Sequence, residues 1–374
     1  MVAPYCTVQK GFDIAAAQNK YVAVLAGTYT PAAGGVLTVN NPTADYVVKG
    51  IGIGNPTLSV SAMQGSVVTI TNTTANHVNV QLDGFTIRGG SGDGQGGGPG
   101  SGVDILGGGN KALTQVSVTN STITRNDFQG VSAVNATLIL DGDTLSQNSF
   151  QNVLANNGIV TITNTTARES GYISGTSYSS IDGIAMVGSS LTMDKVIIGP
   201  KNGGSGLSLS QSTFTVTNTV VHRNGQSGFT SAAIEITAAA QPNQTLFNVT
   251  VADNVGTIPG IRCSSTQPIV ANTVVFNNAI PNQATITSCA PTNSAFFGGG
   301  SPNQDLNNCT DKVFVNASTT NYLPLKGGAP PCSLVGQGVD SVVPSGGTAV
   351  TTNHDVVGTA RKTGMFDIGG YQSN

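Results

Sequence analysis

Only 9% of this 374-residue chain is charged, so side chains able to do acid, base or ion chemistry stand out. Six of them, Arg125, Arg168, Glu169, His222, Arg223 and Asp253, fall at two neighbouring positions of a repeated motif. Cleaving a uronic acid sugar by elimination takes a base for the C5 proton and a cation that neutralises the carboxylate. Arg168 or Arg223 would neutralise, and His222 would be the base. Hydrolysis instead takes two carboxyls flanking the bond. Glu169 and Asp182 qualify, with Tyr172 and Tyr178 between them to stack on a sugar; Arg125 and Asp253 extend the set as ligand-binding residues. The plainer reading makes Arg223 and Asp253 a surface ion pair worth little and His222 a solvated turn residue. Asp93, near the start of the glycine-rich stretch 91–101, and Asp104, just after it, are the candidates for a calcium ion; no other cofactor is expected.

The motif that carries these residues recurs from 112 to 278. Its copies read VSVTNSTITRN (116–126), LILDGDTLSQN (138–148), VTITNTTARES (160–170), LTMDKVIIGPK (191–201) and FTVTNTVVHRN (214–224), with looser ones at 244–254 and 268–278 and an earlier one, before this range, at 80–90. A period of roughly 22 to 31 residues is the mark of a solenoid or propeller. Apolar residues alternate within each copy, as in Leu138 and Leu140 or Val160 and Ile162, which predicts a strand with one buried face. The fifth position is mostly Asn (Asn120, Asn164, Asn218, Asn248, Asn272), and so is the eleventh (Asn126, Asn148, Asn224, Asn254, Asn278). Stacked coils bring like residues to ~4.8 Å, where amides can form a ladder. Asn also tolerates the left-handed backbone of a corner, so both columns read as structural turns, interrupted by Lys195 and Lys201. A glycine-led segment after each copy, such as 130–134 or 206–209, reads as a second strand per coil. Threonines at 161, 192, 215 and 245 form an outward stripe suited to ice or a crystalline polymer, although Thr is a good outward strand residue anyway.

A net charge of −3 gives no reason to expect nucleic acid, and no apolar run is long enough to span a membrane. The first residues carry neither a basic n-region nor an apolar h-region; the expectation is a secreted or cell-surface protein whose signal sequence is not in this chain. Of five cysteines, Cys263 and Cys289 lie about one coil apart and Cys309 and Cys332 could close the last loops. Cys6 is left over. Disulfides in an oxidising compartment follow, with buried free thiols as the alternative.

The N-terminal stretch PYCTVQKGFDIAAAQNKYVAVLAGTYT (4–30) resembles the first coil of right-handed parallel β-helix proteins of the pectate-lyase-like superfamily. The C-terminal stretch HDVVGTARKTGMFDIGGYQ (354–372) resembles the end of bacterial surface β-helix proteins with choice-of-anchor Q domains, through Asp355, Gly358, Arg361, Asp367, Ile368, Gly369 and Tyr371. Gly370 and Gln372 depart from that pattern. The resemblance implies an all-β, right-handed parallel β-helix of roughly ten coils. It places a short helical cap and first coil in 1–30, coils in 31–293 and a loop-rich C-terminal cap in 294–374, with Arg361 paired to Asp367. It also implies lyases, hydrolases, adhesins or surface fibres. The paired aspartates, GHG and RIK of β-helix polygalacturonases are absent, as is a cluster of three acids for the calcium of pectate lyases. The expected function is therefore a monomeric, extracellular or cell-surface bacterial protein that is carbohydrate-binding, adhesin-like or structural. A polysaccharide lyase or glycoside hydrolase on the long-loop side is the alternative, and an ice- or polymer-surface binder the third reading.

Overall fold

The computed structural model describes residues 7–18, 21–31, 34–60, 65–91, 100–174, 177–226, 228, 230–237, 243–256, 260–264, 268–276, 285–307, 309, 313–316, 321–326, 332–344, 347–364 and 366–373. It is nearly all strand, with one helix, Val8–Gln18. The chain divides into two compact units, one of residues 1–181 and 187–190 and the other of 182–186 and 191–374. Within each unit the strands of successive coils pair in parallel. The fold is a parallel β-helix.

A representative coil of the first unit shows how the motif folds. Val131–Val134 is the return strand, Thr137–Asp141 the long strand and Thr144–Ser146 the short strand. In this unit each motif copy is thus two strands rather than one, and the coil has three; in the second unit the copies at 214–224 and 244–254 run as single strands, Thr213–His222 and Gln244–Ala252. The break falls at the fifth position, where Gly142 takes φ 71°, Asn120 51° and Asn164 50°. β-branched residues avoid that left-handed backbone, whereas Asn and Gly accept it. Registers hold coil after coil: Leu138 pairs with Val116 and with Val160, and Val131 with Val103 and Val153. The inward file Val80, Val116, Leu138 and Val160 is buried throughout.

The second corner differs from the first. Its left-handed residue is the tenth, not the eleventh: Arg125 (φ 56°), Gln147 (55°), Glu169 (56°), Arg223 (50°) and Asp253 (57°). The eleventh residue turns inward and is buried. Asn126 donates from Nδ2 to Asn148 Oδ1 at 2.9 Å. In the second unit Asn202 donates to Asn224 Oδ1 at 2.8 Å, and Asn224 to Asn254 Oδ1 at 3.0 Å. Lys201 therefore does not interrupt this column. It takes the corner at φ 66°, after one inserted residue, and Asn202 fills the ladder. Asn278 lies outside the described residues. The ladder also explains the glycine that opens several return strands, such as Gly130 and Gly206, since a Cβ on Gly206 would sit 2.7 Å from Asn224 Nδ2.

Alternate coils are clamped from outside by an aspartate at the fourth position. Asp83 Oδ1 accepts from Thr119 Oγ1 (3.0 Å) and Asn120 Nδ2 (2.9 Å) of the next coil. Asp141 does the same for Thr163 and Asn164, both at 2.7 Å. In the second unit Asp194 holds Thr217 and Asn218.

The C-terminal segment of the second unit lies along the flank of its coils. Phe314, Tyr322, Leu334, Val356 and Ile368 pack on Val220, Val274 and Ala295. The strand Gln244–Ala252 is consequently buried along its whole length, whereas Thr137–Asp141 alternates. Arg361 anchors the segment, but not through the Asp367 carboxylate. Its guanidinium donates to Asn218 Oδ1 (3.1 Å), His354 O (2.9 Å) and Gly369 O (3.0 Å). Asp367 instead accepts from the backbone N–H groups of Gly336 and Ser373. Disulfides join Cys263 to Cys289 and Cys309 to Cys332, as expected from their spacing; Cys6 lies outside the described residues.

Two stability predictions follow from the interior. Asn224→Ala removes the acceptor to which Asn202 Nδ2 donates and one of the two donors to Asn254 Oδ1, which keeps the backbone N–H of position 224. At ~1–3 kcal/mol per stranded group, chemical denaturation should show a loss of about 2 kcal/mol or more; an unchanged midpoint would contradict the ladder's role. Asp143 is buried between Ser121 and Thr165, and its Oδ2 has no partner. Burial, then the neighbouring Asp141 and Asp83 carboxylates, push it up to about 8. The folded state therefore keeps a proton that the unfolded state releases above its ordinary carboxylate range, so stability falls as pH rises towards 8. Asp143→Thr, matching Thr165 one coil on, should raise the melting temperature at pH 8, with the gain shrinking towards pH 4.

Candidate functional site

The chemistry-bearing residues sit at or beside the second corner, and they form three separate groups. In the first unit, the short strand Thr166–Arg168 ends at Arg168, and Glu169 turns the corner. Arg168 Nη1 lies 3.7 Å from Glu169 Oε1, and the Arg168 side chain is 43% exposed. At that distance the pair is an ion pair without a hydrogen bond between those two atoms. The chain then makes a hairpin, Tyr172–Ser174 against Ser177–Tyr178. It is tied to the coil below by Gly171 N–H to Phe150 O and Tyr172 N–H to Asn148 O. The rings of Tyr172 and Tyr178 meet edge-to-face with centroids 5.8 Å apart. Burial, then the Glu169 carboxylate, raise the Tyr178 hydroxyl above its ordinary range. Four of the expected site residues thus converge: Arg168, Glu169, Tyr172 and Tyr178. Arg125 stands on an earlier corner and donates from Nε to Gln147 Oε1 at 3.0 Å.

The second group, in the second unit, is enclosed. His222 ends the strand Thr213–His222 and is buried, with Nδ1 unpartnered. The ring of Tyr322, from the flanking C-terminal segment, packs against it edge-to-face at 5.5 Å. Tyr322 Oη donates to Asp253 Oδ2 at 2.8 Å, and Arg223 Nε lies 3.9 Å from the same oxygen. Burial, then the Arg223 charge, push His222 down to about 4. A neutral imidazole under a tyrosine ring is placed as packing, and it is not a solvated turn residue. Tyr322 could not be found by motif, because it lies outside the repeat and reaches Asp253 across 69 positions.

Asp182 belongs to a third group in the second unit. Its Oδ1 accepts from Ser205 N–H at 2.8 Å. Burial holds its carboxyl above the usual range, opposed by hydrogen bonds from Ser205 and Ser208, while the Glu235 charge adds to the rise. Glu235, which the motif search missed, is a buried carboxylate on the return strand Ile234–Thr237. Both its oxygens accept from Arg262 Nε, at 2.8 and 2.9 Å. Its signal was weak: it is a lone acid outside the motif copies.

Of the calcium pair, Asp93 lies outside the described residues. Asp104 sits on the return strand Val103–Gly107, and burial raises its carboxyl against a hydrogen bond from Ser132. A carboxyl biased towards its neutral form is a poor ligand by itself. Among the described residues no group of three or more His, Cys, Asp or Glu could hold a metal ion. The outward threonine stripe is interrupted as well, since Thr245 is buried and its Oγ1 has no partner.

No protein-family model matches the chain, and no curated protein matches its sequence. Among solved structures it is similar to pectate lyase Pel9A, at 14% identity over 97% of this chain and 91% of the other, with a TM-score of 0.45. It is also similar to the catalytic domain of a GH87 α-1,3-glucanase, at 14% identity, 82% of this chain and 53% of the other, TM-score 0.43. The A-module of the Azotobacter vinelandii mannuronan C-5 epimerase AlgE4 follows, at 14% identity, 80% and 94%, TM-score 0.35. At such identities likeness bears on fold alone, and the fold here stands on the strand registers. No helix among the described residues is long and apolar enough to cross a membrane.

The enclosed histidine yields a pH prediction. Unfolded His222 takes up a proton below about 6.5 that the folded state refuses until about 4, so its contribution to stability is lost as pH falls through that interval. His222→Phe should flatten the acid limb of a melting-temperature profile between pH 6.5 and 4. A limb as steep as the parent's would mean that another group sets it.

Proposed function

We propose that this chain is an extracellular or cell-surface β-helix protein that binds a carbohydrate through the Arg168, Glu169, Tyr172 and Tyr178 surface, without needing to transform it. The observation that carries the reading is the convergence of a partly exposed ion pair, Arg168 at 43% and Glu169 at 13%, with the aromatic pair of the short hairpin that follows it. Sugar rings offer hydroxyls to charged side chains and apolar C–H faces to aromatic rings, and binding sites combine a few fixed polar groups with such surfaces. The edge-to-face tyrosines hold each other in place, which lowers the ordering cost on binding. Two disulfides fit an oxidising compartment. The solved structures with similar folds are named for action on polysaccharides, in keeping with this class of ligand.

A second reading, glycoside hydrolysis, draws on a different observation. Asp182 is biased towards its protonated form near Glu235, whose carboxylate is held by Arg262. An acid and a carboxylate in one neighbourhood are the parts that glycosidases use. Release of reducing ends from neutral polysaccharides, abolished by Asp182→Asn, would favour it over simple binding.

Binding to a glycan array tests the first reading. The parent should retain a defined subset of glycans, and Arg168→Ala with Tyr172→Ala should weaken that binding by at least ~10-fold, the scale of one lost anchor contact. Binding unchanged by both substitutions would sink the assignment.

A further inference from the structure

The outward face of the short strands in the first unit carries one residue type. Thr28 pairs with Thr57, Thr57 with Thr86, Thr86 with Thr122, Thr122 with Thr144 and Thr144 with Thr166. Six successive coils thus present threonine at one register position, all partly or fully exposed. None of these hydroxyls has a hydrogen-bond partner among the described residues, although many other threonines here are bonded, such as Thr119, Thr163 and Thr219. Parallel pairing fixes the spacing along the file at ~4.8 Å, and β-branching restricts each χ1. A second rank lies two residues on, in Ser59, Arg88, Thr124, Ser146 and Arg168, where Ser146 is buried and donates to Thr124 Oγ1 at 3.2 Å. It ends in Arg168 of the proposed glycan site.

The second unit supplies the control. The corresponding outward residues of its short strands are Ile197, Val220, Thr250, Val274 and Ala295. There the C-terminal segment covers them. An exposed file needs only polarity, which Lys, Gln or Glu would provide as well, and six identical unbonded hydroxyls exceed that need.

We infer that this double rank is a flat docking surface for an extended, uncharged polysaccharide packed in an insoluble array, its chains running along the file of coils and accepting and donating hydrogen bonds at each coil. The inference rests on the carbohydrate-binding reading and extends that site from one end of the second rank across six coils. A rigid hydroxyl array loses little side-chain freedom on docking, and regular spacing rewards a ligand that repeats.

The full chain would be incubated with microcrystalline cellulose, chitin or insoluble α-glucan, and depletion from solution measured. The parent should partition onto at least one of them. Thr122→Val with Thr144→Val keeps shape and removes two hydroxyls, and should lower affinity at least ~5-fold; Thr122→Lys with Thr144→Lys should lower it ~10-fold or more. Matched melting curves guard against a folding defect, and the Val pair serves if the Lys pair fails to fold. Parent-like binding by both pairs overturns the inference. So does a parent that binds soluble glycans on the array but no insoluble polysaccharide, an outcome that leaves the Arg168 and Tyr172 site standing. Absence of both kinds of binding removes both readings. Thermal hysteresis without polysaccharide binding would assign the face to ice and likewise overturn the inference.

Discussion

Each coil must bury a polar corner, and the stacked asparagine amides are what make that burial tolerable. Asn224 is 1% exposed, yet it accepts from Asn202 and donates to Asn254 and to Ile198 O. An unpaired amide there would cost its full desolvation; paired amides cost little and impose a register. Several features follow from this one requirement. Where glycine opens the return strand, as at Gly130 and Gly206, a side chain would strike the amide. The residue before the amide must take the left-handed backbone and point outward. In a chain rich in Thr and Val, few residue types accept that backbone. Arg125, Gln147, Glu169, Arg223 and Asp253 are among the ones that do. The concentration of charge beside the asparagine column is therefore a consequence of corner geometry before it is a sign of function.

That consequence changes how charge should be weighed in such a chain. A polar corner residue becomes informative only when something besides the corner engages it. Arg125 meets Gln147 of the next coil and nothing further is needed to explain it. Arg223 and Asp253 are engaged by Tyr322, and the result is a partly covered network beside a buried, neutral histidine. Glu169 and Arg168 differ because the chain leaves the repeat immediately afterwards and returns two tyrosines to them. An inserted hairpin is not required by the stack, and it is the feature there that the coil does not explain.

Much of the architecture was legible in the sequence, for physical reasons. Period-two alternation reports a half-buried strand, and the asparagine spacing reports coils, so the inward file could be assigned from residues alone, while the cysteine spacing only suggested the two disulfides. The strand count per coil was missed, although the apolar parity shifts across the fifth position, from Leu138 and Leu140 to Leu145, and marks the corner in the middle of the copy. Lys201 was misplaced for a related reason: one inserted residue moves the ladder to Asn202, and counting cannot see it. The C-terminal segment was the least legible element. Its aspartates and Arg361 suggested a cap held by an ion pair, but Arg361 spends its donors on backbone carbonyls and on Asn218, a corner residue of a distant coil. Contacts of that range leave no local pattern. The same segment decides that His222 is enclosed, so the fate of that residue was out of reach of any motif.

The seventh position of the repeat shows how far composition can report on surroundings. It faces outward in every coil, so the interior does not dictate it. Where a flanking segment packs on it, in the second unit, it is Val220 or Val274, and the apolar choice is explained by burial. In the first unit it is Thr86, Thr122, Thr144 and Thr166, in register and unbonded. Strand propensity favours threonine there but does not require it, since the adjacent outward file runs Gln81, Ser117, Ile139 and Thr161 on the same coils. Two outward files on one set of coils thus face the same propensities and the same solvent, yet one varies freely and the other does not. The uniform file is the surface on which the proposed polysaccharide docking rests.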